Sequence, residues 1–273
     1  MTVEIVTERT ALEQARIAGR SGRWWKNLLP PLAALVVLIL LWWPLTIPLR
    51  GFLPTPLAVF EAFVEAWMTP EFYGHLANTF RRVVIGAIAA FLVGSAIGVL
   101  MGRSRVFEGF VLPWVMIALA LPGPVVILFT ILLLGLEETT LLLALWISVT
   151  PFVVNIVYES VKALDPGLTD MAVVYRWSNS QRYRELIFPQ MAPALFSAGR
   201  FGFALSWKIV VIIEALSLPN GIGGQLEFFF RLLRSDKVVA WTLCFTVVMI
   251  LVDVLGFRTA ERRVFAWRKE AAL

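Results

Sequence analysis

Long uncharged runs set the rhythm of this chain. Residues 28–49 carry no charge, and at 1.5 Å per residue they make about 33 Å of helix, enough to cross a bilayer. Five further apolar runs follow at 83–102, 110–136, 139–158, 190–213 and 238–257, each bounded by polar links. Their lengths predict six transmembrane helices and an all-α polytopic membrane protein. The link 50–82 opens Gly51-Phe52-Leu53-Pro54-Thr55-Pro56 and continues with Glu61, Glu65 and Glu71, which reads as an external amphipathic segment. In 83–102 small residues recur at every fourth position, Gly86, Ala90, Gly94, Gly98 and Gly102, a face that lets another helix approach closely. In 110–136 the triplet Pro122-Gly123-Pro124 predicts a kinked or unwound helix, with Pro122 beside a path through the membrane. Residues 214–237 read as an external loop with a turn at 220–224 and a short helix at 228–233.

Composition narrows the class. The chain of 273 residues is 59% hydrophobic and 16% charged, where a soluble domain is nearer 45–50% and about 25%. Mean hydropathy is +0.80. The one cysteine, Cys244, can form no internal disulfide, and with a single histidine, His75, no metal site is expected. The net charge of +5 is explained by its placement rather than by a nucleic-acid partner. With the termini inside, 16 of the 24 Lys and Arg fall in 1–27, 103–105, 160–189 and 258–273, and six fall outside. That asymmetry predicts cytoplasmic termini. Arg81 and Arg82 run against it. The segment 1–27 offers Thr10 and Glu13 as a capping box, and the apolar run after it, closed by no small-residue cleavage site, reads as a retained anchor.

The stretch 165–189, DPGLTDMAVVYRWSNSQRYRELIFP, is a polar, arginine-bearing island of 25 residues between two apolar runs. An arginine-bearing, helix-forming link of that length predicts a docking surface for a soluble partner. Within it, Leu168, Met171, Ala172 and Tyr175 stand at i, i+3, i+4 and i+7, one apolar face for a partner's groove. Ser178-Asn179-Ser180 offers a turn, with Ser178 and Gln181 as a capping box for a second helix. Span 5 carries ionisable residues. Arg200, Trp207 and Glu214 recur every seven residues and share a face, and Lys208 lies about 80° from Arg200 around the axis. Either these groups face a path that favours anions, or Arg200 snorkels to the surface and Glu214 ends the helix. No nucleophile–base–acid grouping and no phosphate-binding loop is present, so the chain reads as neither an enzyme nor a nucleotide hydrolase.

Several motifs then carry a resemblance. Asp170 stands 19 positions before Pro189, with Ala172 two after Asp170 and Leu186-Ile187-Phe188 before the proline. This is similar to the cytoplasmic E-A-A-x3-G-x9-I-x-L-P motif of ABC-importer permeases. Leu53-Pro54-Thr55-Pro56, Thr79-Phe80-Arg81-Arg82-Val83, Gly102-Arg103-Ser104, Trp207 with Glu214 before Gly221-Ile222-Gly223, and Phe265-Ala266-Trp267-Arg268 resemble landmarks of the nitrate/taurine/sulfonate branch. The departures are Asp170 for the motif's Glu, Met171 for its first Ala, and Arg176, followed by Trp177, for its Gly.

The resemblance implies a MetI-like type I importer fold, with a permease core at 83–257 and a coupling loop at 160–189. It implies the coupling residues Asp165, Leu168, Asp170, Met171, Ala172, Tyr175, Arg176, Trp177 and Pro189. Its implied setting is the inner membrane. Implied partners are ABC ATPase subunits holding ATP and Mg, a second permease in a homodimer or heterodimer, and a periplasmic or lipid-anchored solute-binding protein. The cargo would be a small, anionic solute such as a sulfonate, taurine, nitrate or bicarbonate. The alternative reading is a self-sufficient secondary transporter or channel, which calls for an internal repeat with paired broken helices. No repeat is visible between the halves.

Overall fold

A computed structural model describes residues 23–48 and 52–264. The chain divides into two compact units, residues 1–61 and 62–273. In the first, helix α1 spans Arg23–Leu45. It ends four residues earlier than the apolar run suggests, because Pro48 has no N–H to return to the carbonyl of Pro44. The chain closes there in a turn, with Thr46 N–H donating to Trp43 O at 3.2 Å. Helix α2, Pro56–Met68, begins with Thr55 Oγ1 accepting from Ala58 N–H at 3.2 Å.

In the second unit, α3 (Pro70–Arg103) starts with Pro70 in its first turn and runs for 34 residues, about 51 Å. The expected boundary at Val83 does not exist. Helix extends through the link, because Phe72 is buried against Trp241, with ring centroids 5.2 Å apart, and because the charges at 81 and 82 find partners. His75, expected in an external loop, is therefore on α3. Helices α4 (Arg105–Ala120) and α5 (Gly123–Leu134) meet at the proline triplet at 101°. A kink is expected there, and the structure makes a sharp corner. Pro122 sits at the N-cap of α5. Helix α6 (Glu138–Lys162) has an acidic residue in its first turn and a basic one in its last, matching the helix dipole. Helix α7 (Pro166–Val174) lies in the polar island. Helix α8 (Asn179–Ser217) contains a π-helical stretch at Arg182–Ile187, and α10 (Ser235–Val264) one at Val252–Arg258. Between them lies α9 (Ile222–Arg231). Four helices, α3, α6, α8 and α10, are long and apolar enough to cross a membrane, and the bent α4–α5 pair makes a fifth if counted as one span. Among the described residues this is the count to set against the six expected. The apolar run of α1, Leu32–Leu45, is shorter. The capping box at Thr10 and the basic end at Phe265–Arg268 lie outside the described residues.

The core is the contact of α3 with α6, with α8 packed on both. Val83 and Ala90 of α3 meet Leu141, Leu145, Val149, Val153 and Val157 of α6, closed by Ala198, Val210 and Ile213 of α8. The row of small residues faces α6. A Cβ at Gly98 would lie 2.8 Å from Val154 O and 3.0 Å from Tyr158 N, both backbone atoms that cannot yield cheaply. A Cβ at Gly94 would meet the Val153 side chain at 2.8 Å and Thr150 O at 3.2 Å. Between lipid-facing helices this approach does the work that hydrophobic burial does in water. Gly98→Leu is expected to force the helices apart and to cost about 1–3 kcal/mol. A lowered melting temperature in detergent, read by fluorescence-detected size-exclusion chromatography, checks it; an unchanged one would mean that α3 and α6 are not held by this contact.

Candidate transport path and docking surface

Two motifs distant in sequence meet at one end of the bundle. Thr79 and Arg82 lie one turn apart on α3, and Glu214 stands in the last turn of α8, 0% exposed. Arg82 Nη1 donates to Glu214 Oε1 at 2.7 Å and to Asn220 O at 2.9 Å, and Nη2 donates to Asn220 Oδ1 at 2.8 Å. Thr79 Oγ1 donates to Glu214 Oε2 at 2.8 Å and accepts from Ile222 N–H at 2.8 Å. Gly223 N–H donates to Glu214 Oε2 at 3.0 Å from the first turn of α9, where the helix dipole favours a carboxylate. His75 Nδ1 accepts from Gly221 N–H at 3.0 Å. The turn needs glycine. Gly221 has φ +113°, and a Cβ there would strike the Glu214 carboxylate. Arg81 pairs with Glu138 at the exposed edge of the same cluster.

The network joins α3, α8 and α9 through a buried ion pair. Sequence reasoning left Arg81 and Arg82 as exceptions and Glu214 as a helix end or path residue. The available signal was that two charges bordering apolar runs each require a partner. A buried pair adds little over apolar groups, yet breaking it exposes a lone charge to a dry interior, at about 3–5 kcal/mol. Glu214→Gln should therefore destabilise strongly, and Arg82→Met with Glu214→Leu should recover much of the loss. Thermal unfolding of both single variants and the double variant checks this. A double variant as unstable as the sum of the singles would show that the two side chains are not coupled.

The other residues proposed for span 5 are separated. Arg200 Nε and Nη2 donate to the two oxygens of Asp253 at 2.8 and 2.7 Å, and Nη1 donates to Glu261 at 3.3 Å. Its charge is thus met by α10. Trp207 packs edge-on against Phe245, with centroids 5.2 Å apart. Lys208 is exposed and has no ion-pair partner among the described residues. It flanks Leu205 and Ile209, which line a cavity of about 740 Å³ beside the α4–α5 corner. That cavity is largely apolar. Its hydroxyls include Thr130, which donates to Val126 O, and Ser148, whose Oγ is buried without a partner.

In the polar island Asp165 caps α7, its Oδ1 accepting from Gly167 N–H at 2.8 Å. Ala172, expected on the docking face, is turned inward at 1% exposure. The outward apolar face is Leu168, Met171, Val173, Val174 and Tyr175, with the last two 78% and 71% exposed. The expected turn at 178–180 falls two residues earlier. Arg176 N–H donates to Val173 O at 3.0 Å and Trp177 N–H to Ala172 O at 2.9 Å. This ends the helix with a left-handed residue, Arg176 at φ 53°. The arginine that replaces the motif's glycine thus adopts the glycine's conformation, at a cost of about 1–2 kcal/mol. The capping box follows as expected. Ser178 N–H donates to Gln181 Oε1 at 3.0 Å, and Ser178 Oγ accepts from Gln181 N–H at 3.3 Å. Pro189 cannot donate to the ladder, and the turns before it widen to π geometry, with Phe188 N–H reaching Tyr183 O.

Comparison with known proteins gives a consistent picture. The taurine transport system permease protein TauC of Escherichia coli (strain K12) is 25% identical over 88% of this chain and 90% of its own. The putative aliphatic sulfonates transport permease protein SsuC of Bacillus subtilis (strain 168) is 26% identical over 90% and 88%. The nitrate import permease protein NrtB of a Synechocystis strain is 25% identical over 82% and 84%. The crystal structure of an amino acid ABC transporter superposes with TM-score 0.61 at 19% identity, covering 73% of this chain and 97% of that one, which shows a shared fold. Residues 84–262, from the start of the α6-facing part of α3 to the end of α10, match the family described as binding-protein-dependent transport system inner membrane component. The chain therefore belongs to the binding-protein-dependent transport system inner membrane components, as an ABC-importer permease of the nitrate/taurine/sulfonate branch.

Proposed function

We propose that this permease forms half of a translocation path for a small anionic solute and couples its uptake to ATP hydrolysis by a separate subunit. The observation that carries the reading is α7. A short helix capped at both ends presents Met171, Val173, Val174 and Tyr175 outward on a polar link, where nothing among the described residues covers them. An amphipathic helix of this kind fits a hydrophobic groove on a partner, and its place in the family's motif points to the ABC ATPase. ATP and Mg belong to that subunit; this chain contributes no nucleotide chemistry. Closure of the motor would move α7 and, through the π-helical start of α8, tilt the bundle as a rigid body. A second permease completes the path, and a solute-binding protein delivers cargo from outside. The charge asymmetry supports termini and α7 on the cytoplasmic face of the inner membrane.

Met171→Asp with Tyr175→Asp should abolish co-purification of the ATPase. Arg176→Gly, which fits the left-handed position better, should preserve it. An intact complex with the aspartates, transporting at the wild-type rate, would remove α7 from coupling.

The anionic cargo rests on Lys208, a cation with no ion-pair partner among the described residues, in the span beside the apolar cavity. The substrate names of TauC, SsuC and NrtB point the same way. Lys208→Gln should lower uptake efficiency roughly tenfold, about 1.4 kcal/mol of transition-state stabilisation, with assembly intact. Unchanged uptake kinetics in proteoliposomes with the cognate binding protein would make Lys208 a structural residue.

A further inference from the structure

Behind α7 lies a cavity of about 650 Å³ that neither the ion-pair network nor the docking face uses. It is enclosed by the C-terminal ends of α3 and α6, by α7, and by the first turns of α8. Small-molecule sites fall in roughly the same range, 300–1,000 Å³. Its wall is graded in chemistry. Val99, Met191 and Leu195 come from the apolar spans, and Arg103, Asn179 and Arg182 from the links between them. No carboxylate lines it, and neither guanidinium has an ion-pair partner among the described residues.

Each arginine is held in a way that leaves donors available. The Arg103 guanidinium lies over the Tyr183 ring, 5.0 Å from its centroid. Stacking occupies the face of the plane and leaves the N–H edges free. Arg182 stands on the π-helical turn, and its Nε is buried without a hydrogen bond. Water can solvate the exposed Arg103, whereas Arg182 is half-buried, with the rest of its guanidinium on the cavity wall. Two cations with no internal counter-charge, set at the end of an apolar wall, call for an anion that is itself joined to an apolar body.

We propose that this cavity binds an anionic phospholipid, its phosphate between Arg103 and Arg182 and its acyl part over Val99, Met191 and Leu195. A free phosphate would satisfy the guanidiniums and leave the apolar wall unmatched, so the graded wall favours lipid. Thr169 of α7 lines the same space, so bound lipid braces the root of the segment on which the docking helix is carried.

The test uses the full-length chain in detergent, titrated separately with phosphatidylglycerol, phosphatidylcholine and inorganic phosphate. Native mass spectrometry reads bound lipid, and the melting temperature reads its effect on the fold. Phosphatidylglycerol is expected to bind and raise the melting temperature, and phosphatidylcholine is not. Arg103→Gln with Arg182→Gln should weaken phosphatidylglycerol binding at least tenfold, with the lipid-free melting temperature unchanged. Should that pair lower the lipid-free melting temperature, Leu195→Trp decides, since it fills the apolar wall and keeps both arginines. Undiminished phosphatidylglycerol binding by the deciding variant overturns the proposal, as does equal binding of both lipids by the wild type. Stabilisation by inorganic phosphate alone, without phosphatidylglycerol binding, would assign the cavity to a free anion and likewise overturn it. None of these readouts depends on transport or on an ATPase.

Discussion

The close approach of α3 to α6 is the constraint from which the rest of this structure is built. Lipid is as apolar as leucine, so two spans gain nothing from burying leucines against each other. They gain from contact, and contact over several turns requires a row without Cβ atoms. Gly94, Gly98 and Gly102 provide it opposite Val153, Val157 and Val161. With that seam closed, Val149 and Val153 are left to receive Gly202 and Ala198 of α8, and the third span is placed.

The two ends of the bundle are then finished by different chemistry. At one end, buried charge and backbone donors converge on Glu214. That arrangement is directional, because each acceptor position is already taken by a particular donor from α3 or α9. At the other end, Arg200 bridges α8 to Asp253 and Glu261 at half-exposed positions, where the same kind of pair is worth little. Glu108 accepts from Tyr158 at 2.6 Å and from Lys162 at 2.8 Å, tying α4 to α6. The end that carries α7 is thus held by softer, solvent-screened contacts, and the opposite end by a dry network. A segment proposed to dock a soluble partner is better placed at the softer end.

Much of the fold was legible in the order of residues. Spans read from apolar length, the break from Pro122-Gly123-Pro124, the packing face from the spacing of small residues, and the capping box from Ser178 and Gln181 each rest on a local rule. Where the reading departed from the structure, a distant partner was responsible. Helix α3 runs past the charges at 81 and 82 because Glu214, more than 130 residues away, neutralises one of them. Ala172 turns inward because the bundle takes it, although the 3.6-residue period places it with Met171 and Tyr175. The substitution of arginine for the motif's glycine suggested a displaced turn; the backbone keeps the turn and strains the arginine.

The sequence by itself determined the class, most of the apolar spans and the close-packing face of α3. These follow from periodicity, charge and the bilayer's thickness, which act over a few turns of chain. Only the tertiary structure decided which ionisable residues are spent on the fold and which remain available. Arg82, Glu214 and Arg200 are ion-paired, and Lys208, Arg103 and Arg182 have no ion-pair partner among the described residues. That division depends on which groups come within hydrogen-bond reach of one another, and no local pattern in the chain encodes it.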